Sequence, residues 1–515
     1  MAGEKPEVLS AEHVLPQYAP ITLLRCTRCG AAFLEDQTTP DYEAGMQEML
    51  DYYVEQGAGI DLIVAPLLRV PSSSVRRALE IGCSFGYALD FSRHALGWEV
   101  LGVDPSPLAV RGAAELGIRV LHTYFGPELD VGPDPYDLVL CSEILEHVAR
   151  PHALLAAIRE RLSPDGLLVL STPNVEIVRK ETEEGMLARA LSSGLHLILY
   201  DRGSLSRVLS DAGFTDVVIE QSAETLRAFA ALGPAALDRL RPPDPAAEHA
   251  LLRRYFDTRA GDFPTSSVLA SGLAYRHFKE CVNAGLYDEA IASRARLARI
   301  YRDRYGLDID DPSSIASASR RPFNLTGALF FAGILELNRL GRPDRAALYF
   351  SAAAGAGTSV RHNASLFITF DGETEALFRQ SLKHLPMALA ATDPGRALRE
   401  LERLESLEPA LFPARLLDDA RDQTFVRLVN AGAYSAAERL APFIAARIAT
   451  GKEASLDPLF CLAMLALQLG RAGEAADLFR RVREAAERSD PGDSNGMLRL
   501  ARLHEAMSLE RALQS

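Results

Sequence analysis

Two kinds of hydrophobic spacing divide the chain. Between residues 75 and 231, apolar runs of strand length alternate with stretches of helical spacing: Ala78, Leu79 and Ile81, then Tyr87 to Leu96, then Val100, Leu101 and Val103. The alternation continues with a helix over Pro107 to Leu116, strands over Arg119 to His122 and Asp137 to Leu140, and a helix over Pro151 to Leu162. A strand over Leu167 to Thr172, a helix over Arg202 to Ala212 and strands over Val217 to Ile219 and Leu226 to Ala231 complete it. Strands apolar on both faces and separated by helices predict a parallel sheet with helices on either side, wound by right-handed crossovers. The residues alone carry six strands, with Leu226 to Ala231 as a candidate for the last. Upstream, Tyr42 to Glu55 and Ile60 to Leu68 have helical spacing, with Met46, Met49, Leu50 and Tyr53 on one side. Downstream, the proline-rich run Arg241 to Pro245 breaks the pattern, and beyond it the spacing is helical almost throughout.

The first strand runs into Gly82 and Gly86, and the next ends at Asp104. Gly82 lets a ligand approach the main chain because no Cβ stands in the way, and Gly86 lets the following helix start hard against the turn. A carboxylate some 20 residues beyond the first glycine, on the end of the adjacent strand, can accept hydrogen bonds from both ribose hydroxyls of a nucleoside. The pattern predicts an adenosine-containing ligand. Ser84 occupies the place of the second glycine of a dinucleotide site, which disfavours a nicotinamide oxidoreductase, and no Gly-Lys-Ser/Thr phosphate loop is present.

Glu80, Gly82, Ser84 and Gly86 resemble the Glu-x-Gly-x-Gly-x-Gly signature of class I S-adenosylmethionine-dependent methyltransferases, with Ser84 a departure at the middle glycine. Tyr136 to Val148 looks like that family's fourth strand and the loop after it, and Leu162 to Thr172 like its helix end, turn and fifth strand. The resemblance covers roughly the first half of the chain and is most like the ubiquinone-biosynthesis O-methyltransferase group. It implies a doubly wound, Rossmann-like sheet of seven strands with the final one antiparallel, and S-adenosyl-L-methionine as cofactor. By resemblance Gly82, Cys83, Ser84 and Gly86 line the methionine part, Glu80 supports the loop or bonds toward the amino group, Asp104 holds the ribose, and Ser142 sits at the carboxyl edge of the sheet. Within Thr123 to Leu129 no residue is assigned to the adenine.

A hydroxyl acceptor must lose its proton as a methyl group arrives, and an imidazole near pKa 6.5 takes it at neutral pH. His147 is the candidate base, with ordering of its own loop as the competing role, and His196 is its rival. Glu146 is expected to face solvent or brace the loop. Tyr52, Tyr53 and Gln56, on the N-terminal helices that lid the donor site in the resembling family, could touch the ligand, but packing is the preferred use of them.

Composition sets bounds on this picture. At 515 residues the chain exceeds a single core. The expected divisions are 1–40, 41–240 for the methyltransferase domain, and 246–515 for a helical domain. A net charge of −14, with both signs interspersed, offers no electrostatic support for nucleic acid or an anionic membrane. Six cysteines make no disulfide framework and suit a reducing compartment. The polar stretch Met1 to Glu12 and the lack of an apolar run of ~18 residues predict a cytoplasmic protein without a membrane segment.

Cys26-Thr27-Arg28-Cys29-Gly30 is half of a zinc ribbon and resembles the knuckle that many such methyltransferases carry. A tetrahedral site needs four ligands, and the other cysteines lie in different contexts, so the expectation is a knuckle-like turn without metal. In the helical half, Asn283 to Ala290, Arg339 to Ala346, Asn430 to Ala437 and Gln468 to Ala475 each read as a helix, a tight glycine turn and a second helix. With Phe350 and Phe479 in the later aromatic position they resemble degenerate tetratricopeptide-type hairpins. Leu307 to Pro322 is expected to be a mobile loop, and Leu366 to Phe370 has a β-like composition. Such hairpins offer a concave surface to a protein partner, or merely bury part of the catalytic half or dimerise. The fold expected is therefore α/β followed by an all-α helical-hairpin domain. The activity expected is O-methylation of a small-molecule or glycan-related acceptor, with a sugar C-methyltransferase or a non-catalytic interaction protein as alternatives.

Overall fold

The computed structural model describes residues 7–10, 22–38, 42, 50–56, 60–179, 182, 184–192, 195–317, 321–363, 372–409, 411–449, 456–489 and 496–514. Three short strands, β1 (Glu7–Ser10), β2 (Thr22–Arg25) and β3 (Ala32–Leu34), pair antiparallel in that order. Cys26 to Gly30 is the turn between β2 and β3, closed by Gly30 N–H donating to the Cys26 carbonyl at 2.9 Å. Two short helices follow, α1 (Leu50–Gln56) and α2 (Ile60–Val64). Residues 43–49 of the expected first helix lie outside the described residues.

The main sheet is built from β4 (Arg77–Ile81), α3 (Tyr87–Phe91), β5 (Glu99–Val103), α4 (Pro107–Leu116), β6 (Val120–Leu121), β7 (Tyr136–Ser142), α5 (Pro151–Arg161) and β8 (Leu162–Pro173). After α6 (Glu184–Leu191), β9 (Ile198–Leu199) returns to the small sheet beside β3, and α7 (Arg202–Asp211), β10 (Asp216–Gln221) and β11 (Thr225–Ala231) finish the large one. Its strand order is β10-β11-β8-β7-β4-β5-β6, with β11 antiparallel to both neighbours. All seven expected strands are present. The chain order reverses on either side of β4, which has β5 on one flank and β7 on the other. In an open parallel sheet that reversal opens a crevice at the carboxyl ends of the strands.

Local chemistry explains the boundaries. After α3 the helix widens into one π-type turn, Ser92–Leu96, and Gly97 closes it with φ +77°. Asp201 caps α7 by accepting from Ser204 N–H at 2.6 Å, while Ser204 Oγ accepts from Asp201 N–H. Gly112, on α4, lies so close to the glycine turn that a Cβ there would stand 1.8 Å from the Phe85 carbonyl oxygen. Backbone cannot yield as a side-chain tip can, so Gly112→Ala is expected to cost about 3 kcal/mol, at the upper end for overpacking. The fluorescence of Trp98, the chain's one tryptophan, buried and bonded to the Ser72 carbonyl at 3.1 Å, would report that loss during denaturation.

Beyond the sheet come α8 (Pro234–Leu237), α9 (Pro245–Asp262), which opens at the proline-rich run, and α10 (Val268–Asn283). The chain gathers into two compact units, the first reaching Glu280 and the second taking most of the residues from Cys281 onward. The second contains α11 (Tyr287–Tyr305), α12 (Leu325–Asn338), α13 (Pro343–Asn363), α14 (Gly372–Leu389), α15 (Pro394–Glu405), α16 (Ala414–Asn430), α17 (Tyr434–Ala449), α18 (Leu456–Gln468), α19 (Ala472–Ser489) and α20 (Met497–Gln514). Each of the four expected hairpin turns holds a glycine at positive φ: Gly285, Gly341, Gly432 and Gly470. Phe350 and Phe479 are fully buried. On α15, Ala397, Leu398, Leu401 and Leu404 form the buried stripe, spaced as a helix face requires.

Residues 307–315 of the segment expected to be a mobile loop are pinned instead: Leu307, Ile309 and Ile315 are buried, and Asp310 accepts from Arg294 at 2.6 Å. The segment's few apolar residues were obscured by the Asp, Ser and Pro set between them. Residues 366–370 lie outside the described residues. No described helix is long and apolar enough to cross a membrane.

Candidate active site

The crevice predicted by the strand order is a cavity of about 740 Å³, within the usual size of a ligand site. Glu80, Gly82, Cys83, Ser84 and Gly86 line it from the first strand and turn, Asp104 from the end of β5, and Ser142 and His147 from the end of β7 and the loop after it. All eight sequence candidates therefore reach one space. Pro105 and Ser106 continue the Asp104 wall, and Tyr124, Phe125, Gly126 and Pro127 supply an apolar wall from the segment in which no adenine residue was assigned.

Asp104 organises the turn. Its Oδ2 accepts Ser84 N–H and its Oδ1 accepts Ser106 N–H, both at 2.7 Å. A carboxylate has about four lone-pair positions, so each oxygen keeps one for a ligand hydroxyl. The bond to Ser84 holds that residue in the left-handed region, φ +47°, unusual for a side chain larger than glycine. Gly82 and Gly86 share that region at +73° and +87°. Ile144 stands over Gly82, where a Cβ would lie 1.9 Å from its Cδ1.

The wall has unmet polar valence. Ser84 Oγ, Ser106 Oγ, Ser142 Oγ and Glu80 Oε2 are buried and have no hydrogen-bond partner among the described residues. Buried polar atoms rarely stay unpaired, so four around one cavity describe a polar ligand's outline. Burial, and then the charge of Asp104, push the Glu80 carboxyl well above the usual range. A cationic group brought beside it would return it to the charged form.

Glu143 follows Ser142 with φ +53°, a second strained backbone position at the sheet edge. It is open to the cavity while Ser171 Oγ donates to its Oε1 at 2.7 Å. Tyr53, from α1, also lines the cavity, and after burial the charges of Asp104 and Glu143 raise its pKa. Packing is thus not its whole use, whereas Tyr52 and Gln56 are not on the cavity wall.

Glu146 is fully buried, which rules out the solvent-facing alternative and leaves bracing of the loop. The short 3-10 turn Leu145–His147 rotates it inward while His147 turns to the cavity. Burial, then the neighbouring charge of Glu143, push its carboxyl well above the usual range. His147 Nδ1 lies 3.0 Å from the Leu195 carbonyl and 2.7 Å from the Tyr42 hydroxyl. A carbonyl only accepts, so Nδ1 carries the proton and Nε2 the lone pair. Burial lowers the His147 pKa to about 4, so the ring is neutral at pH 7.

His196 does not line the cavity; it stands behind His147, ring centroids 4.6 Å apart, with Nδ1 against the Ala190 carbonyl at 2.6 Å. Burial, and then His147, lower its pKa to about 3. Glu146, His147 and His196 offer ligand atoms all within 4.8 Å of one another, a set able to take a divalent cation. Sequence reading assigned no metal and did not group these three. The one available signal was the adjacency of Glu146 and His147; His196 lies beside them where Leu197 N–H bonds the Glu146 carbonyl at 2.7 Å.

Residues 53–219 match the family model described as a methyltransferase domain. The mitochondrial ubiquinone biosynthesis O-methyltransferase of Schizosaccharomyces pombe is 37% identical over 106 residues, covering 19% of this chain and 38% of that protein. The ubiquinone biosynthesis O-methyltransferase of Cereibacter sphaeroides (strain ATCC 17029 / ATH 2.4.9) is 38% identical over 132 residues, 24% of this chain and 51% of that protein. The chain thus spans about half, or less, of the length of these relatives. A solved SAM-dependent methyltransferase from Archaeoglobus fulgidus overlaps at 18% identity and a TM-score of 0.29, covering 35% of this chain and 97% of that one. Within this chain, residues 53–219 are a methyltransferase domain of the class I S-adenosylmethionine-dependent family.

Proposed function

We propose that the chain transfers a methyl group from S-adenosylmethionine to a hydroxyl oxygen of a small-molecule or glycan-related acceptor, with His147 receiving the hydroxyl proton. The observation that carries this reading is the joint presence, on one cavity, of the Asp104 carboxylate with two lone pairs to spare and a neutral imidazole. A bound sulfonium donor supplies an electrophilic methyl group. Asp104 would hold its ribose, the unpaired Ser84, Ser106 and Ser142 hydroxyls its polar edges, and Glu80 would face the positive amino end. The apolar wall Tyr124 to Pro127 keeps water from the reacting atoms. Oxygen, as the atom methylated, is carried over from the names of the two relatives.

The lowered pKa of His147 narrows the acceptor. A base near pKa 4 is always free to accept a proton at neutral pH but pulls on it weakly. It suits a hydroxyl that is already acidic, of the phenol or enol kind, better than an aliphatic alcohol. With such an acceptor, His147→Gln is expected to lower kcat by about 100-fold or more while leaving S-adenosylhomocysteine affinity unchanged. The acid limb of the native pH profile should fall near pH 4, because the base is lost only as pH drops through the lowered value. Wild-type turnover in His147→Gln, measured as S-adenosylhomocysteine released, would remove the base assignment. A methyl group found on carbon in the product would favour the sugar C-methyltransferase alternative.

A further inference from the structure

We propose that α10, encoded beyond the proline-rich run, is a positioning element of the donor site, with Arg276 holding the lid helices over the cavity through Asp61. The inference rests on the reading of the cavity as the donor site. Tyr53 of α1 and Ile63 of α2 line that cavity, yet neither helix joins the sheet. Their described parts pair with no strand, so packing against other elements sets their place over the cavity.

Three contacts on one face of α10 do so. Gly272 lies against the end of α1, where a Cβ would meet the Val54 carbonyl oxygen at 2.2 Å and the Glu55 carbonyl oxygen at 3.2 Å. One turn on, Arg276 Nη1 donates to Asp61 Oδ2 at 2.9 Å, and Lys279 Nζ lies 3.7 Å from the same oxygen. Positions 272, 276 and 279 follow the i, i+4, i+7 spacing of a single helix face. Arg276 is only 4% exposed, so its charge is directed into the protein and not to solvent. Although burial pushes Asp61 up, Arg276 and then Lys279 hold its carboxyl below the usual range. The Tyr87 hydroxyl, on the helix after the glycine turn, donates to the same Val54 carbonyl at 3.0 Å. The end of α1 is therefore held by both the glycine-turn helix and α10.

A partly buried ion pair, with the Arg276 side chain 5% and the Asp61 side chain 30% exposed, contributes little net stability but fixes geometry. Losing the Arg276 charge should therefore loosen the lid more than it unfolds the sheet.

The test uses the full chain with Arg276→Met, Arg276→Lys, Asp61→Asn and the Arg276→Met/Asp61→Asn pair. Arg276→Met is expected to weaken S-adenosylhomocysteine binding by about tenfold by calorimetry, with Arg276→Lys largely retaining it and the double variant no worse than the worse single one. Amide exchange in α1 and α2 should quicken by about tenfold in Arg276→Met while β4 and β7 keep native protection. Affinity within twofold of the native chain together with native exchange in α1 and α2 would overturn the proposal. Should the native chain itself not bind S-adenosylhomocysteine, the donor reading fails. The clamp then stands or falls on amide exchange alone, with unchanged rates in α1 and α2 rejecting it.

Discussion

An Asp104→Ala variant is expected to bind S-adenosylhomocysteine at least about 100-fold more weakly than the native chain. Two hydrogen bonds from ribose hydroxyls to a carboxylate are each of the kind that contributes roughly 1.5–3 kcal/mol, and alanine removes both. It also removes the acceptor for Ser84 N–H and Ser106 N–H, so the turn loses the anchor that holds Ser84 at φ +47°. Asp104→Asn should be intermediate, because its amide nitrogen cannot accept either backbone N–H while its oxygen still can. Calorimetry on the three chains separates these outcomes, and an alanine variant within threefold of native affinity would remove the ribose assignment.

The second large effect is expected in stability. Asp90, on the helix that starts at the glycine turn, is fully buried and receives two bonds from the Arg259 guanidinium, at 2.8 and 3.0 Å, and one from the Tyr255 hydroxyl at 2.8 Å. Arg259→Met leaves a buried carboxylate without its counter-ion, which typically costs about 3–5 kcal/mol. Replacing both partners, as Asp90→Asn with Arg259→Met, should recover much of that, because no uncompensated charge then remains. Trp98 follows within a few residues of Asp90, so its fluorescence during urea unfolding reads this region directly. A midpoint unchanged in Arg259→Met would show that the pair carries no structural weight.

Both predictions, and the Arg276 clamp, concern residues that act on the glycine turn or its lid from different distances along the chain. Asp104 is near in sequence and legible; Arg259 and Arg276 are neither. The difference is instructive for the site as a whole. Strand, turn and following acid are local: glycine supplies the left-handed backbone, β-branched and leucine runs supply the buried strands, and the acid falls at the end of the adjacent strand because the intervening helix has a set length. Ser142 and His147 were legible for the same reason, since they follow an apolar strand at the sheet's carboxyl edge.

For Glu146 the solvent-facing alternative failed and bracing of the loop remains; a lone acid near a strand end is usually solvated, and nothing in its neighbours announces that a 3-10 turn will rotate it inward. Its grouping with His147 and His196 depends on β9 returning to the small sheet beside β3, a pairing with no local pattern. The pinned segment around Asp310 was obscured in a similar way, by polar residues set between its buried ones.

By itself the amino-acid order determined the alternation of strand and helix, the glycine turn with its acid, and the helical hairpins of the second half, because each is a short-range consequence of backbone freedom and apolar period. Only the tertiary structure decided which carboxylates are buried, which histidine meets the cavity, and that Arg259 and Arg276 reach back to Asp90 and Asp61. Ion pairs between residues more than 150 positions apart leave no periodic trace, and their partners are chosen by how the sheet and helices pack.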